Sequence, residues 1–576
     1  MKTMRSLLLG SAASLVAVIG AQAADLPVKA KPVEYVKICS LYGEGYYYIP
    51  GSDTCLKFGG YVQADYGWNV SGGRTTPFAG TQGAQDRTVS RYSTRHRINL
   101  NVDTRTQTDY GTLRTFGSIH MQNEDGVFSN NAARAFIQWA GFTIGHAQSF
   151  SDHNGTFGGS FHYTGQANNS NTGDNGVNQI AYTWELGNGA TLTLGADEVR
   201  RRAIIDLSNG AALGVGREAL NSYTGETWPD AHIDFKLNQA WGQWSTSFVA
   251  HDVSATYYNC TGQAISNSQP VTNCGHPNDK IGWAVMTGAD FKMDFISVGD
   301  RAGFIARYAQ GASGFGAGGN LNSPSLFGAG NNVAVGFASD AIFTGGTAFS
   351  GSLGGAACNQ PGVQLPNIGT VGSTCNASQL QLTTTWTVGA AYDHKWTPNL
   401  STSILGAYTS VEYNNTAKAM FAQNVCGVET MTSTGVMTGG GQGQFNGGIT
   451  IPGATATLTQ LLAQGGAHNN ATGGRTPLSI TNNCDPDWGY FQGSVRTQWN
   501  PARGFLIGLD VTYSHVFTAF KGTQANLQNV AFGASSGNAN VIQPVIGARP
   551  NGVYNLKDLG VVSVVMRAQR LFNSGD

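Results

Sequence analysis

Between Arg91 and Gln122 the chain alternates in steps of two, RYSTRHRINLNVDTRTQTDYGTLRTFGSIHMQ. His96, Ile98, Leu100 and Val102 fall on one face, and Arg95, Arg97, Asn99, Asn101 and Asp103 on the other. After a short polar turn the pattern resumes, with Leu113, Thr115, Ile119 and Met121 against Arg114, Ser118, His120 and Gln122. Successive side chains of a strand point to opposite sides, so this stretch predicts an antiparallel hairpin with one apolar and one polar face. In a soluble sandwich the apolar face packs a core and the polar face meets bulk water. In a membrane barrel the apolar face meets lipid and the polar face lines a lumen.

The rest of the chain decides between these. Sixteen segments carry strand alternation, near 56–68, 92–103, 111–122, 133–140, 142–148, 178–186, 190–198, 230–238, 243–251, 281–291, 301–309, 384–394, 399–412, 488–499, 504–516 and 560–572. Their connections alternate between short and long. Ala140-Gly141, Gly187-Asn188-Gly189, Asn238 to Trp241, His394 to Asn399 and Asn500 to Gly504 are tight. The stretches 149–177, 199–229, 252–280, 310–383, 413–487 and 517–559 are long and rich in Gly, Asn, Ser and Thr. Segregated turns and loops belong to an outer-membrane barrel, and a sandwich has no reason for them. Tryptophans sort the same way. Trp139, Trp184, Trp241, Trp244, Trp396 and Trp499 sit beside short turns, and Trp68, Trp283, Trp386 and Trp488 beside long loops, which predicts two interfacial girdles. The fold class is therefore an all-β transmembrane antiparallel β-barrel of about 16 strands, spanning 55–572.

After the first 20 residues no apolar run is long enough for a spanning helix, which needs about 18 residues. A barrel needs apolar residues only at alternate positions. The formal net charge of −1 offers no basic field, which argues against nucleic acid as a partner. Residues 1–23 read as an export signal, with Lys2 and Arg5 before an apolar stretch and Ala21-Gln22-Ala23 as the cleavage site. A segment 24–54 containing a small hairpin then precedes the barrel.

Eight cysteines in an exported chain point to disulfides. Proximity alone suggests Cys39 with Cys55, Cys260 with Cys274, Cys358 with Cys375, and Cys426 with Cys484. No Cys-x-x-Cys or zinc-like spacing occurs, and neither a metal nor another cofactor is expected. Gly533-Ala534-Ser535-Ser536-Gly537 matches the nucleophile-elbow pattern, but lacks the strand before it and the helix after it. Gly314 to Gly319 imitates a phosphate loop by composition alone, and Asn168 to Asp174 does not meet the calcium-loop pattern. No enzyme activity is expected.

The run VEYVKICSLYGEGYYYIPGSDTCLKFGGYV closely resembles the opening of the alphaproteobacterial general porins. TDYGTLRTF, RAFIQWAGFTIGHAQSF and NQIAYTWELGNGATLTLGADE are similar to that family as well. The resemblance implies a homotrimer of sixteen-stranded barrels in the bacterial outer membrane, among lipids and lipopolysaccharide, passing small hydrophilic solutes and ions. It also implies that residues 149–177 fold into the pore as a constriction loop. Family members usually end on an aromatic residue, whereas here the extension Asn573 to Asp576 follows Phe572. Such a pore works through the width and potential of its lumen. Arg95, Arg97, Arg114 and Arg134, inward on three neighbouring strands, are the candidates for a basic wall; Asp152 and Asp174 are those for acidic groups on the loop. The alternative function is a surface adhesin whose large loops bind partners without conduction.

Overall fold

The computed structural model describes residues 38–70, 83–84, 90–153, 162–164, 172–207, 222–257, 276–318, 325–343, 378–424, 426–427, 430–431, 437–438, 449–450, 485–527 and 552–572. The export-signal reading of 1–23 and the extension 573–576 lie outside them.

All sixteen expected strands form. They are β1 (Cys55–Trp68), β2 (Tyr92–Thr108), β3 (Gly111–Glu124), β4 (Val127–Trp139), β5 (Phe142–Ala147), β6 (Val177–Gly187), β7 (Ala190–Asp197) and β8 (Asp230–Gln239). The second half adds β9 (Gly242–Val253), β10 (Lys280–Lys292), β11 (Arg301–Gln310), β12 (Thr384–Thr397), β13 (Leu400–Glu412), β14 (Trp488–Ala502), β15 (Phe505–Phe517) and β16 (Leu559–Phe572). Each pairs antiparallel with its sequence neighbour, and β16 pairs back onto β1 from Gly60↔Phe572 to Trp68↔Val564. Closure leaves the barrel without a free edge.

The faces follow the alternation. Ile98, Val102, Ile119, Ile180, Phe248, Ile404 and Leu509 are exposed on the outside, while Asp65, Arg95, Arg97, Asn99, Thr512 and Arg567 are buried on the inside. A continuous exposed apolar belt is a liability in water and a requirement in hydrocarbon. Hydroxyls on the outer face satisfy one another across strands: Thr246 bonds Thr287 at 2.8 Å, Thr402 bonds Thr497 at 3.2 Å, and Thr104 bonds Thr115. Lone hydroxyls facing lipid would carry a desolvation cost.

Two details depart from the sequence reading. β3 and β4 run on to a two-residue turn, Asp125-Gly126, with φ of 49° and 88°, so this loop-side connection is tight. Ser129, Asn130 and Asn131 are polar on both faces, which hides the strand from a pattern search, yet they are exposed strand residues. Trp488 is buried and does not belong to a girdle; its indole N–H donates to the Phe337 carbonyl at 3.1 Å inside the barrel mouth. Trp68, Trp139, Trp184, Trp241, Trp244, Trp396 and Trp499 are exposed near strand ends, as expected.

At the start of the described chain, Cys39 and Cys55 are disulfide-bonded. The hairpin they close lies against the short-turn end of β2: Tyr42 donates to Gln107, Thr54 bonds Thr106, and the Arg105 guanidinium sits 5.0 Å from the Tyr46 ring centre. In each of the other three proposed pairs at least one cysteine lies outside the described residues: Cys260 and Cys274, Cys358 and Cys375, and Cys484.

The described parts of the long loops carry structure of their own. Short strands Ala203–Asp206 and Ser339–Phe343 pair in parallel, Ser325–Ala329 and Asn332–Gly336 form a hairpin, and Gly552–Leu556 pairs with both Asn332–Gly336 and Gln524–Leu527. A ten-residue helix, Asn415–Asn424, packs with them through Met420 and Phe421.

Candidate functional site: the lumen and its inserted loop

After β5 the chain turns into the barrel. Ser149 donates to Asp197, Asp152 accepts from Arg200 at 2.9 Å, and His153 bonds Ser245 of β9 at 2.5 Å and Asp290 of β10 at 3.2 Å. The next described residues are on another wall. His162 bonds Ser494 of β14 at 2.8 Å, and the backbone N–H groups of Tyr163 and Thr164 donate to Asp510 of β15 at 2.6 and 2.9 Å. Thr172–Asn175, a single helical turn, brings the chain back beside β4, where Arg134 donates to the carbonyl of Thr172 at 3.4 Å and to that of Gly173. The described parts of this segment between β5 and β6 thus bond β9, β10, β14 and β15 on other walls of the lumen.

Two wall positions lack side chains where it docks. A Cβ on Gly288 would lie 2.6 Å from the His153 ring, and one on Gly508 would lie 2.7 Å from Cε2 of Tyr163. Asp510 has no solvent exposure, and it also accepts from the Ser494 hydroxyl. The Tyr163 ring lies 4.5 Å from the Arg567 guanidinium and 5.5 Å from that of Arg496, and its hydroxyl donates to Gln498 at 2.9 Å. Burial pushes the Tyr163 phenol up to about 12, so it stays a neutral donor.

The candidate arginines all lie on the lumen side, at different heights. Arg95 donates to Asp65 at 2.6 Å, and Asp65 also receives Arg567 at 2.7 Å. Arg97 donates to Gln122 at 2.7 Å. Arg114 pairs in register with Arg105, ten residues along β2 from Arg95, and both arginines close on Asp103 at 2.8 and 3.2 Å. At roughly 3.3 Å per residue that is about 33 Å along the strand, so the four form a ladder along the pore and not one ring. Asp152 faces Arg200, and the side chain of Asp174 lies outside the described residues.

The level of the Tyr163 contact is instead occupied by Arg95, Asp65 and Arg567, joined through β1 to β2 and β16, and by Arg496 with Asp393 at 3.3 Å. Arg496 and Arg567 were not singled out from sequence. They stand some 400 and 470 positions from Arg95 in the chain, and only barrel closure makes them neighbours. Inward parity on β14 and β16 is the signal that could have found them. Ser313–Gly316, which overlaps the start of the phosphate-loop look-alike, is one helical turn whose Ser313 N–H donates to Asp340.

The family model described as the porin subfamily matches residues 25–539. Porin Omp2b of Brucella neotomae is 32% identical over 319 residues, covering 50% of this chain and 80% of that protein. Porin Omp2b of Brucella suis biovar 1 (strain 1330) is 34% identical over 266 residues, covering 43% of this chain and 66% of that protein. Among solved structures, the outer membrane channel DcaP of Acinetobacter baumannii is similar with a TM-score of 0.48 at 12% identity, over 91% of this chain and 99% of that one. A family match that runs through fifteen of the sixteen strands, on a closed barrel with a polar interior, makes the assignment: the chain belongs to the porin subfamily and is an outer-membrane porin.

Proposed function

We propose that the channel passes small hydrophilic solutes and ions by diffusion through an eyelet narrowed by residues 149–177, and that it works as a homotrimer among outer-membrane lipids and lipopolysaccharide. The bonding of Tyr163 and Thr164 to Asp510, on the wall across from β5, carries this reading. Charge selection rests on the arginines at and next to that level, Arg95, Arg97, Arg496 and Arg567, and more weakly on Arg114 and Arg134. Arg114 shares the single carboxylate of Asp103 with Arg105, and Arg134 holds loop carbonyls. Asp152 works as a loop anchor on Arg200, with Asp174 as the remaining acidic candidate.

Arg97→Ala tests the charge role. Gln122, to which Arg97 donates, is neutral, so that contact is not an ion pair. The expected result is a zero-current potential in a salt gradient displaced towards cation preference, with assembly intact. An unchanged potential removes Arg97 from the selectivity filter. Pure folded protein that produces no ion steps in a planar bilayer would favour the adhesin reading instead.

A further inference from the structure

The inner wall has two chemistries. Along β1–β8 its larger buried side chains are polar, among them Asp65, Arg95, Asn99, Thr143, Asp197 and His232, with Val177 and Ala181 as small apolar exceptions on β6. On β9–β16 the loop-side part of the same face carries Val249, Met286, Val411, Trp488, Tyr490 and Val516. Apolar side chains lining an open aqueous lumen would be wetted at a cost of about 25 cal/mol per Å². Each of these is instead at least nine-tenths buried.

The long loops bury them. Val411, Trp488, Tyr490, Val516 and Val561 belong to one dry cluster with Phe337, Phe421 and Phe520, which come from the β11–β12, β13–β14 and β15–β16 connections; Ile205 and Leu207 join from β7–β8. Val249, Ala284 and Met286 are covered by Ala312 and Phe315 of the β11–β12 loop. Backbone bonds tie the loops to one another, Ala519 N–H to the Val335 carbonyl at 2.9 Å and Lys557 N–H to the Val333 carbonyl at 3.1 Å. Tyr413 and Trp488 both donate to the Phe337 carbonyl, at 2.6 and 3.1 Å.

We propose that these loops form a fixed, dry wedge that fills the mouth in front of β9–β16, so that solutes enter and leave only along the polar β1–β8 side. The pathway is off-axis. The wedge sets the width of the outer entrance, and the loop crossing the lumen sets the charge and width further in. This deepens the diffusion reading and rests on it.

The test is single-channel conductance with polyethylene glycols of graded mass added to the loop side alone. Phe337→Ala combined with Phe421→Ala empties the centre of the wedge, and deletion of 325–336 removes one of its hairpins. Heat-modifiable gel migration first establishes that the barrel has closed. In both variants conductance should rise and heavier polymers should enter from the loop side, with the salt-gradient potential unchanged. A second measurement uses Val335→Cys with Ala519→Cys, a pair bridged by a backbone bond. Oxidising it should leave conductance where it was, because a fixed wedge has nothing to stop. Polymer cut-off and conductance both unchanged in the emptied wedge would overturn the proposal, as would closure of the channel on oxidation. A changed potential with unchanged polymer access would also remove the wedge while leaving the diffusion reading standing.

Discussion

Asp510 shows how one inward carboxylate organises the lumen. It is fully buried, and it accepts from the N–H groups of Tyr163 and Thr164 and from the Ser494 hydroxyl, so each of its oxygens is engaged. Asp510→Asn keeps the shape, and with its amide oxygen towards Tyr163 and Thr164 it still accepts from them, but it removes the charge and puts a donor against the Ser494 hydroxyl. Hydrogen bonds to a charged group contribute about 1.5–3 kcal/mol each, and the loss falls on the loop tip and not on the barrel ladders. The expected outcome is a noisier channel of larger conductance, with gel-monitored barrel melting little changed. Conductance and noise identical to the parent would show that the loop is held elsewhere. Inward parity made Asp510, Arg95 and Arg97 legible as lumen residues. It could not tell which would pair, because Asp65 meets Arg567 only through closure, and a loop 347 positions away supplies the donors to Asp510.

Among elements, those with strict period-two burial could be read directly from the chain, and those built by contact between loops could not. β15 alternates Phe505, Ile507, Leu509, Val511 and Tyr513 against polar residues, and its ends were placed within a residue. The β3–β4 turn was missed even though Asp125-Gly126 is a strong hairpin signal, because the flanking Ser129-Asn130-Asn131 carries no apolar face. The wedge was invisible because its apolar residues are spaced irregularly within Gly- and Asn-rich segments from four connections. The Cys39–Cys55 hairpin lies between these cases: the pair follows from proximity, but its seat against Gln107 and Thr106 does not. Closing a span of 16 residues restricts the unfolded hairpin by about 3 kcal/mol. Since the hairpin adds only a two-residue strand, Tyr47–Tyr48, beside β1, that stabilisation is local. Cys39→Ser with Cys55→Ser should therefore open residues 38–54 to added protease while the barrel melts at its usual temperature. A barrel that melts together with the hairpin would contradict this.

For the whole molecule, the junction that matters is between a closed barrel, whose hydrogen bonds are complete without the loops, and a wedge that must be held to it. Asp340 is a principal fastening. It is fully buried and accepts from the backbone N–H groups of Arg202 and Ser313 and from the Tyr223 hydroxyl, each at 2.7 Å, and it lies 3.6 Å from His251 of β9. Asp230 faces the other side of the same imidazole at 2.6 Å, and Arg201 lies against the Tyr223 ring. Burial alone would push the Asp340 carboxyl up, but His251, the Arg202 N–H and Tyr223 outweigh it and hold the group below its ordinary 3.8. A carboxyl depressed in the folded state lends stability that is complete above 3.8 and lost as pH falls through the lower folded value. The wedge should therefore hold from neutrality down to that range and loosen below it, while the barrel ladders, which do not titrate, persist. Conductance measured against pH should be flat and then rise on acidification. Asp340→Asn, which cannot carry the charge at any pH, should conduct more at neutrality and lose the acid step. An acid step that survives in Asp340→Asn would move the fastening to another group, and a flat profile in the parent would mean that the wedge is held by its apolar contacts alone.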